Sequence, residues 1–356
     1  MKLPCITMLA TLLLTGPAAA QLQIAPPATI PSAAPEKQKP KPHTITKKKE
    51  AAPAPKPSAS PKPTPTPAAT VIPAPPTDNS NADLVFGAYQ RGQYKTAFDL
   101  ATVRAQAGDP KAMTMLGELY SNAMGIRRDY AKAAEWYKRA ADAGDREAMF
   151  ALAMLRISGR GGSLDKSEAV KLMASAAKLG EPKAAYNLAL LYLDGQTLPQ
   201  DVRRSAELLR QAADAGLPEA QYALATFYKE GTGVPKDPER AVRLLQAASL
   251  ADNVDAEVEY AIAMFNGTGT PKNQPAAVAL LRKASRQGSA IAQNRLAWVL
   301  INGVGVAMDK VEGFKWHLVA KTAGKGDPEL DKQLSDLPAE DRAKAEAAAR
   351  KWLGTK

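Results

Sequence analysis

The side chains able to do chemistry are few, and their spacing limits what they can do. Short polar groups recur at Asp129, Asp165, Asp201, Asp237, Asn273 and Asp309, one every 36 residues. Paired carboxylates divide general acid and general base work only where they converge on one reacting atom. A fixed step of 36 puts one group in each structural unit instead. That suits a side chain accepting from the free N–H groups of a starting helix. Glycine pairs recur at Gly159 and Gly161, Gly231 and Gly233, Gly267 and Gly269, Gly303 and Gly305. No strand pattern precedes them, so they read as helix-to-helix turns and not as phosphate loops. Two histidines are present: His43, and His317 beside Trp316. The single cysteine, Cys5, lies near the N-terminus. No His-Glu-x-x-His pair, Walker loop, dinucleotide fingerprint or clustered ligand set appears. The expectation is a non-enzymatic chain without cofactor or metal.

The elements that position these groups form a strict repeat. Stepping by 36 from Ala112 gives Ala148, Ala184, Ala220, Ala256 and Ala292. Stepping from Ala140 gives Ala176, Ala212, Ala248, Ala284 and Ala320. Leu116, Leu152, Leu188, Leu224, Tyr260 and Leu296 form a third series, each followed by glycine or alanine. Within a unit the apolar residues fall at spacings of three, four and seven, one face of a helix. Each unit therefore reads helix, turn, helix, turn. One such hairpin cannot bury its apolar faces alone, whereas stacked neighbours can. The fold expected is all-α: a right-handed α-solenoid of helix-turn-helix repeats with a 36-residue period, preceded by a disordered Pro-rich linker.

The unit Ala220, Leu224, Ala225, Tyr228, Gly231, Gly233, Val234, Asp237, Ala241, Ala247, Ala248 resembles the Sel-1-like repeat, a longer relative of the tetratricopeptide repeat. Ala292, Leu296, Ala297, Gly303, Gly305, Val306, Asp309, Trp316 and Ala320 match it again. Departures are local: Arg156 replaces the tyrosine, Thr197 the second glycine and Asp252 the terminal glycine. The resemblance implies adaptor or regulatory roles in bacterial envelopes. Some disulfide-rich members are described as hydrolases of β-lactams or wall components. This chain has no cysteine beyond Cys5 and no nucleophile–base set, which argues against that role here.

Residues 1–20 read as a secretory signal. Lys2 supplies the positive end, Ile6 to Leu14 the apolar core, and Ala18–Ala20 the small-residue cleavage site. The apolar run is shorter than the roughly 20 residues that span a bilayer. Cleavage after Ala20 leaves no stable transmembrane segment and gives a periplasmic or secreted protein. Residues 21–80 are dominated by Pro, Ala, Lys and Thr, a composition for an extended spacer with no core. They hold eight lysines against Glu36, Glu50 and Asp78, so the arm carries much of the net charge of +11. Lys47, Lys48 and Lys49 offer a contact for peptidoglycan or another anionic polymer. A nucleic-acid partner is not expected, because the basic excess lies in the arm and not on a folded face with aromatics. Residues 81–110 read as a tetratricopeptide-like cap, 111–324 as six repeats, and 325–356 as a capping segment with one helix from Pro338 to Trp352.

What varies between repeats is the surface of the first helix of each pair. Two residues after the key alanine stand Phe150, Tyr186 and Tyr222; six after it stands Trp298. Ten after it stand Asp194, Glu230, Asn266 and Asn302. Apolar rings beside a polar row suit a protein or peptide partner on the concave face: rings anchor, and polar groups fix a backbone. The same rings could instead pack between repeats. The alternative to a scaffold of this kind is a wall- or polysaccharide-binding structural protein working through the arm.

Overall fold

The computed structural model describes residues 79–354. The signal at 1–20 and nearly all of the expected linker lie outside them. Among the described residues there are sixteen helices and no strand. An N-terminal pair, α1 (Asn79–Gln90) and α2 (Tyr94–Gln106), leads into six hairpins. Their first helices are α3 (Pro110–Asn122), α5 (Arg146–Ser158), α7 (Pro182–Asp194), α9 (Pro218–Glu230), α11 (Val254–Asn266) and α13 (Ala290–Asn302). Their second helices are α4 (Tyr130–Asp142), α6 (Lys166–Lys178), α8 (Val202–Asp214), α10 (Pro238–Leu250), α12 (Gln274–Arg286) and α14 (Lys310–Thr322). The C-terminal segment, expected to hold one helix, holds two: α15 (Pro328–Ser335) and α16 (Ala339–Gly354). From α1 to α14 each helix packs on the next in the chain, and α16 packs on α14. The result is an all-α solenoid.

Every repeat helix is 13 residues long because its ends are fixed chemically. Asp129, Asp165, Asp201, Asp237, Asn273 and Asp309 cap the second helices. Each accepts from the backbone N–H three residues on, at 2.9–3.1 Å. Losing one such cap costs about 1 kcal/mol. A second row of caps starts most first helices: Asp109, Asp145, Glu181, Asn253 and Ser289. Leu217 makes no side-chain cap, and Pro218 there removes one of the N–H groups that would need a partner. From α5 to α13 the first helices end on a left-handed glycine, Gly159, Gly195, Gly231, Gly267 or Gly303. α3 ends instead on Ala123, at φ 57°.

The alanine series are the closest approaches of the stack. Ala140, Ala176, Ala212, Ala248, Ala284 and Ala320 are fully buried. A larger side chain there would force the axes apart. Leu116, Leu152, Leu188, Leu224 and Leu296 fill the space between helices. Gly117 shows how tight the fit is: a Cβ on it would stand 2.6 Å from the Tyr137 ring. The later repeats carry alanine in place of Gly117 and a smaller residue in place of Tyr137: Met173, Leu209, Leu245 or Leu281. His317 occupies that same core position in the last repeat and is fully buried.

Candidate functional site

On each first helix, residues one before the key alanine and three, six and ten after it share a stripe. These offsets follow the i, i+4, i+7, i+11 rule of one helical face. On α9 the stripe exposes Glu219 and Glu230, with Tyr222, Ala223 and Thr226 half-buried between them. On α11 it exposes Asp255 and Asn266, with Glu259 and Ile262 half-buried. Phe150, Tyr186 and Tyr222 stand on α5, α7 and α9, half-buried, and pack against the same core cluster. They are thus part of the packing and part of the surface. Trp298 does not join them; it packs on the C-terminal core cluster with Tyr260 and Ile262.

The exposed polar row is less available than its sequence implies. Asp194, Glu230, Asn266 and Asn302 are each the last residue of a helix. Asp194 Oδ1 accepts from the Gln196 N–H at 2.8 Å, and Asn302 Nδ2 donates to the Trp298 carbonyl at 2.8 Å. Both groups serve the local turn.

The structure brings together a set the periodic series did not single out. Glu219 acts on the Tyr186 hydroxyl, and Asp255 and Glu259 act on the Tyr222 hydroxyl. In both cases one of the carboxylates lies 33 residues after the ring, at the start of the next first helix. Burial raises the pKa of both tyrosines, and the neighbouring carboxylates add to it: Glu219 for Tyr186, then Glu259, Asp255 and Glu230 for Tyr222. Burial also pushes the Asp255 carboxyl up, and repulsion from Glu259 adds to it. Lys229 Nζ reaches Glu259 Oε2 at 3.0 Å, tying α9 to α11. A sequence signal existed, since α11 holds Asp255, Glu257 and Glu259 and no cation.

Elsewhere the titratable groups serve the fold. Tyr89 donates to Glu118 Oε1 at 2.8 Å, joining α1 to α3. Lys111 bridges Asp145 at 2.9 Å and Glu147 at 3.3 Å across one repeat. His317 Nε2 lies 2.8 Å from Asp331 Oδ1, which Lys321 also reaches at 2.8 Å. This trio pins α15 to α14. A shallow depression beside α10, lined by Glu239, Arg243, Gln246 and Pro271, brings no acid–base pair onto one point. Among the described residues no group of three or more His, Cys, Asp or Glu is placed to hold a metal ion. No described helix is long and apolar enough to cross a membrane.

The pattern described as Sel1 repeat matches residues 110–145, 146–181, 182–217, 218–253, 254–289 and 290–325. The chain belongs to the Sel1 repeat family. Two solved structures are similar to it. One is a protective antigen of uropathogenic Escherichia coli strains displaying an SLR fold, at 26% identity and a TM-score of 0.66. The match covers 77% of this chain and 60% of the antigen, so the chain spans less than two thirds of that protein. The other is a Sel1 repeat protein from Oxalobacter formigenes, at 25% identity and a TM-score of 0.58, with 67% of this chain and 96% of that one covered. Comparison with curated proteins gives no match. Sel1-repeat solenoids are in general protein–protein interaction scaffolds, and this chain has their architecture.

Proposed function

We propose that this chain is a non-enzymatic adaptor of the cell envelope, periplasmic or secreted. It binds a protein or peptide partner through the face of its first helices. The observation that carries this reading is the contrast between fixed and variable positions. The alanines that set the helix approach recur unchanged across six repeats, whereas the half-buried position two residues on changes from Thr114 to Phe150, Tyr186, Tyr222 and Asn294, and turns into the core only at Val258. A stack kept only for stability has no use for that variation. Half-buried rings held in place by packing, with carboxylates around them, supply rigid anchors at low entropy cost. Export rests on residues 1–20, and a regulatory role on the resemblance to Sel1-repeat proteins.

The test is a photoreactive group at Tyr222, activated in the native envelope. A discrete protein adduct that is lost when the group is moved to Lys344, on α16, supports the adaptor. The second reading, wall or polysaccharide contact through the lysines of residues 21–80, predicts diffuse wall-linked material. Deleting residues 21–80 would then abolish wall association and leave capture at Tyr222 untouched.

A further inference from the structure

The first and second helices differ in charge. Among second helices, α8 presents Arg203, Arg204 and Arg210, and α12 carries Arg282, Lys283 and Arg286 with no carboxylate. The first helices reverse this at one place. α11 holds three carboxylates and no cation, and α9 holds Glu219 and Glu230 against Lys229 alone. Glu257 is buried and paired with Lys283. That leaves Glu219, Glu230, Asp255 and Glu259 on α9 and α11, against Lys229, bound to Glu259, and the exposed Lys183 at the matching place on α7. An acidic strip therefore lies on a chain whose formal net charge is +11.

The strip is not relaxed. Asp255 is open to solvent, yet surrounding protein and Glu259 both disfavour its charge. Lys229 answers one of these two charges, and a cation placed beside Asp255 answers the other. Tyr186 and Tyr222 add flat apolar surface beside the carboxylates, the arrangement that takes the stem and head of a lysine or arginine together. Lys229 and Glu259 join α9 to α11 along this face, so an extended segment lying across the first helices passes one carboxylate group after another.

We propose that the surface beside Tyr186 and Tyr222, edged on α9 and α11 by Glu219, Glu230, Asp255 and Glu259, docks an extended segment of a partner protein carrying several lysines or arginines. This rests on the adaptor reading and names the chemistry of its partner. Overall charge works against such a ligand, so binding reports the local strip.

The probe is a fluorescein-labelled peptide of four Lys-Ser-Leu units, compared with its Glu-Ser-Leu counterpart by fluorescence anisotropy on the full chain. The lysine peptide binds, with affinity falling as salt rises, and the glutamate peptide does not. Asp255→Asn with Glu259→Gln weakens binding about tenfold or more, a difference of about 1.4 kcal/mol, and flattens the salt dependence. Arg203→Gln with Arg243→Gln, on second helices, leaves affinity unchanged. Circular dichroism verifies that each variant is folded. Equal binding of both peptides, binding of neither, or an unchanged affinity in the Asp255/Glu259 variant overturns the inference. If the lysine peptide fails while Tyr222 still captures a discrete protein, the adaptor stands and the basic partner falls. Failure of both removes both.

Discussion

Glu257 is a fully buried carboxylate, and its removal should stabilise the protein. Its position on α11 is held in the flanking repeats by Gln221 and Gln293. Those amides donate from Nε2 to the carbonyl eight residues earlier, Ala213 at 3.3 Å and Ser285 at 3.1 Å. Glu257 faces the equivalent place, beside Ser249, with no N–H to give when ionised. Lys283 comes within 2.9 Å of Oε2, but the carboxylate accepts no well-aligned hydrogen bond among the described residues. Lys283 is itself about half exposed and is shared with Asp252 at 3.2 Å. Neutralising the buried member removes its desolvation cost, and the charge left behind, Lys283, is half exposed and so not stranded; a new amide hydrogen bond adds about 1 kcal/mol. Allowing for the lost contact to Lys283, Glu257→Gln is expected to gain about 1 kcal/mol, or a rise of about 2–4 °C in Tm. Lys283→Ala does the opposite. It strands the carboxylate, and a cost of about 2 kcal/mol follows once the partial exposure of Lys283 is discounted from the usual 3–5. Thermal unfolding followed at 222 nm measures all four corners of the cycle. In the Glu257→Gln background the Lys283→Ala cost shrinks to about 0.5 kcal/mol or less. An equal cost in both backgrounds would refute the reasoning, because the penalty would then not come from an unpaired buried charge.

Three further outcomes are expected. Ala123→Gly stabilises by about 1 kcal/mol, since Ala123 sits at φ 57° where the other first helices use glycine; thermal unfolding reads it. Gly117→Ala destabilises by about 1–3 kcal/mol through its clash with Tyr137. Adding Tyr137→Leu recovers most of the loss, because the alanine–leucine pair already works at Ala225 and Leu245. The ammonium of Lys321, with His317 behind it, holds the Asp331 carboxyl below its ordinary range. A depressed carboxylate stabilises the fold above its unfolded pKa of about 3.9 and loses that contribution as pH falls through the folded value. The α15–α16 segment should therefore open first in acid, read by pulsed proteolysis, and Asp331→Asn should remove that pH dependence.

The stack was legible because its constraints are periodic. An alanine that lets two axes approach must recur wherever the approach recurs, and an aspartate that caps a helix must recur with the cap. Both series were visible by stepping 36 residues, and both appear in the structure as buried contacts and 2.9–3.1 Å caps. The surface was legible only in part. Phe150, Tyr186 and Tyr222 could be placed on the right helices, but whether rings there face neighbours or solvent depends on how deeply each hairpin seats, and the answer is half of each. Apart from Glu230, the carboxylates that act on Tyr186 and Tyr222 lie 33 or 37 residues on, in the next repeat, because the interaction runs sideways across helices. No single-helix pattern contains that step. His317 was legible as a structural residue, since a lone histidine on a helix is more often packed than catalytic and one step of 36 aligns it with the core residue Leu281.

One stretch carries more acidic residues than its counterparts in the other five repeats. Asp252 lies in the turn before α11 and Asp255, Glu257 and Glu259 at its start; α15 opens on a comparable run, Asp327, Glu329 and Asp331, but there Lys321 holds Asp331 at 2.8 Å. Part of that charge is favourable, because Asp255 and Glu257 lie in the first turn, where the helix dipole is positive. Part is answered by Lys283 and Lys229. Asp255 is left over, with its charge disfavoured by burial and by Glu259. Selection for stability alone removes such a residue readily: Glu219, at the equivalent place on α9, lacks a carboxylate four residues on, and Ile291 on α13 lacks charge altogether. A group that costs stability and faces solvent beside two fixed rings is the expected mark of a binding surface. Its neutralisation by Asp255→Asn should raise thermal stability while weakening the basic probe. Opposite signs in those two measurements separate a site from a packing defect, which would lower or raise both together.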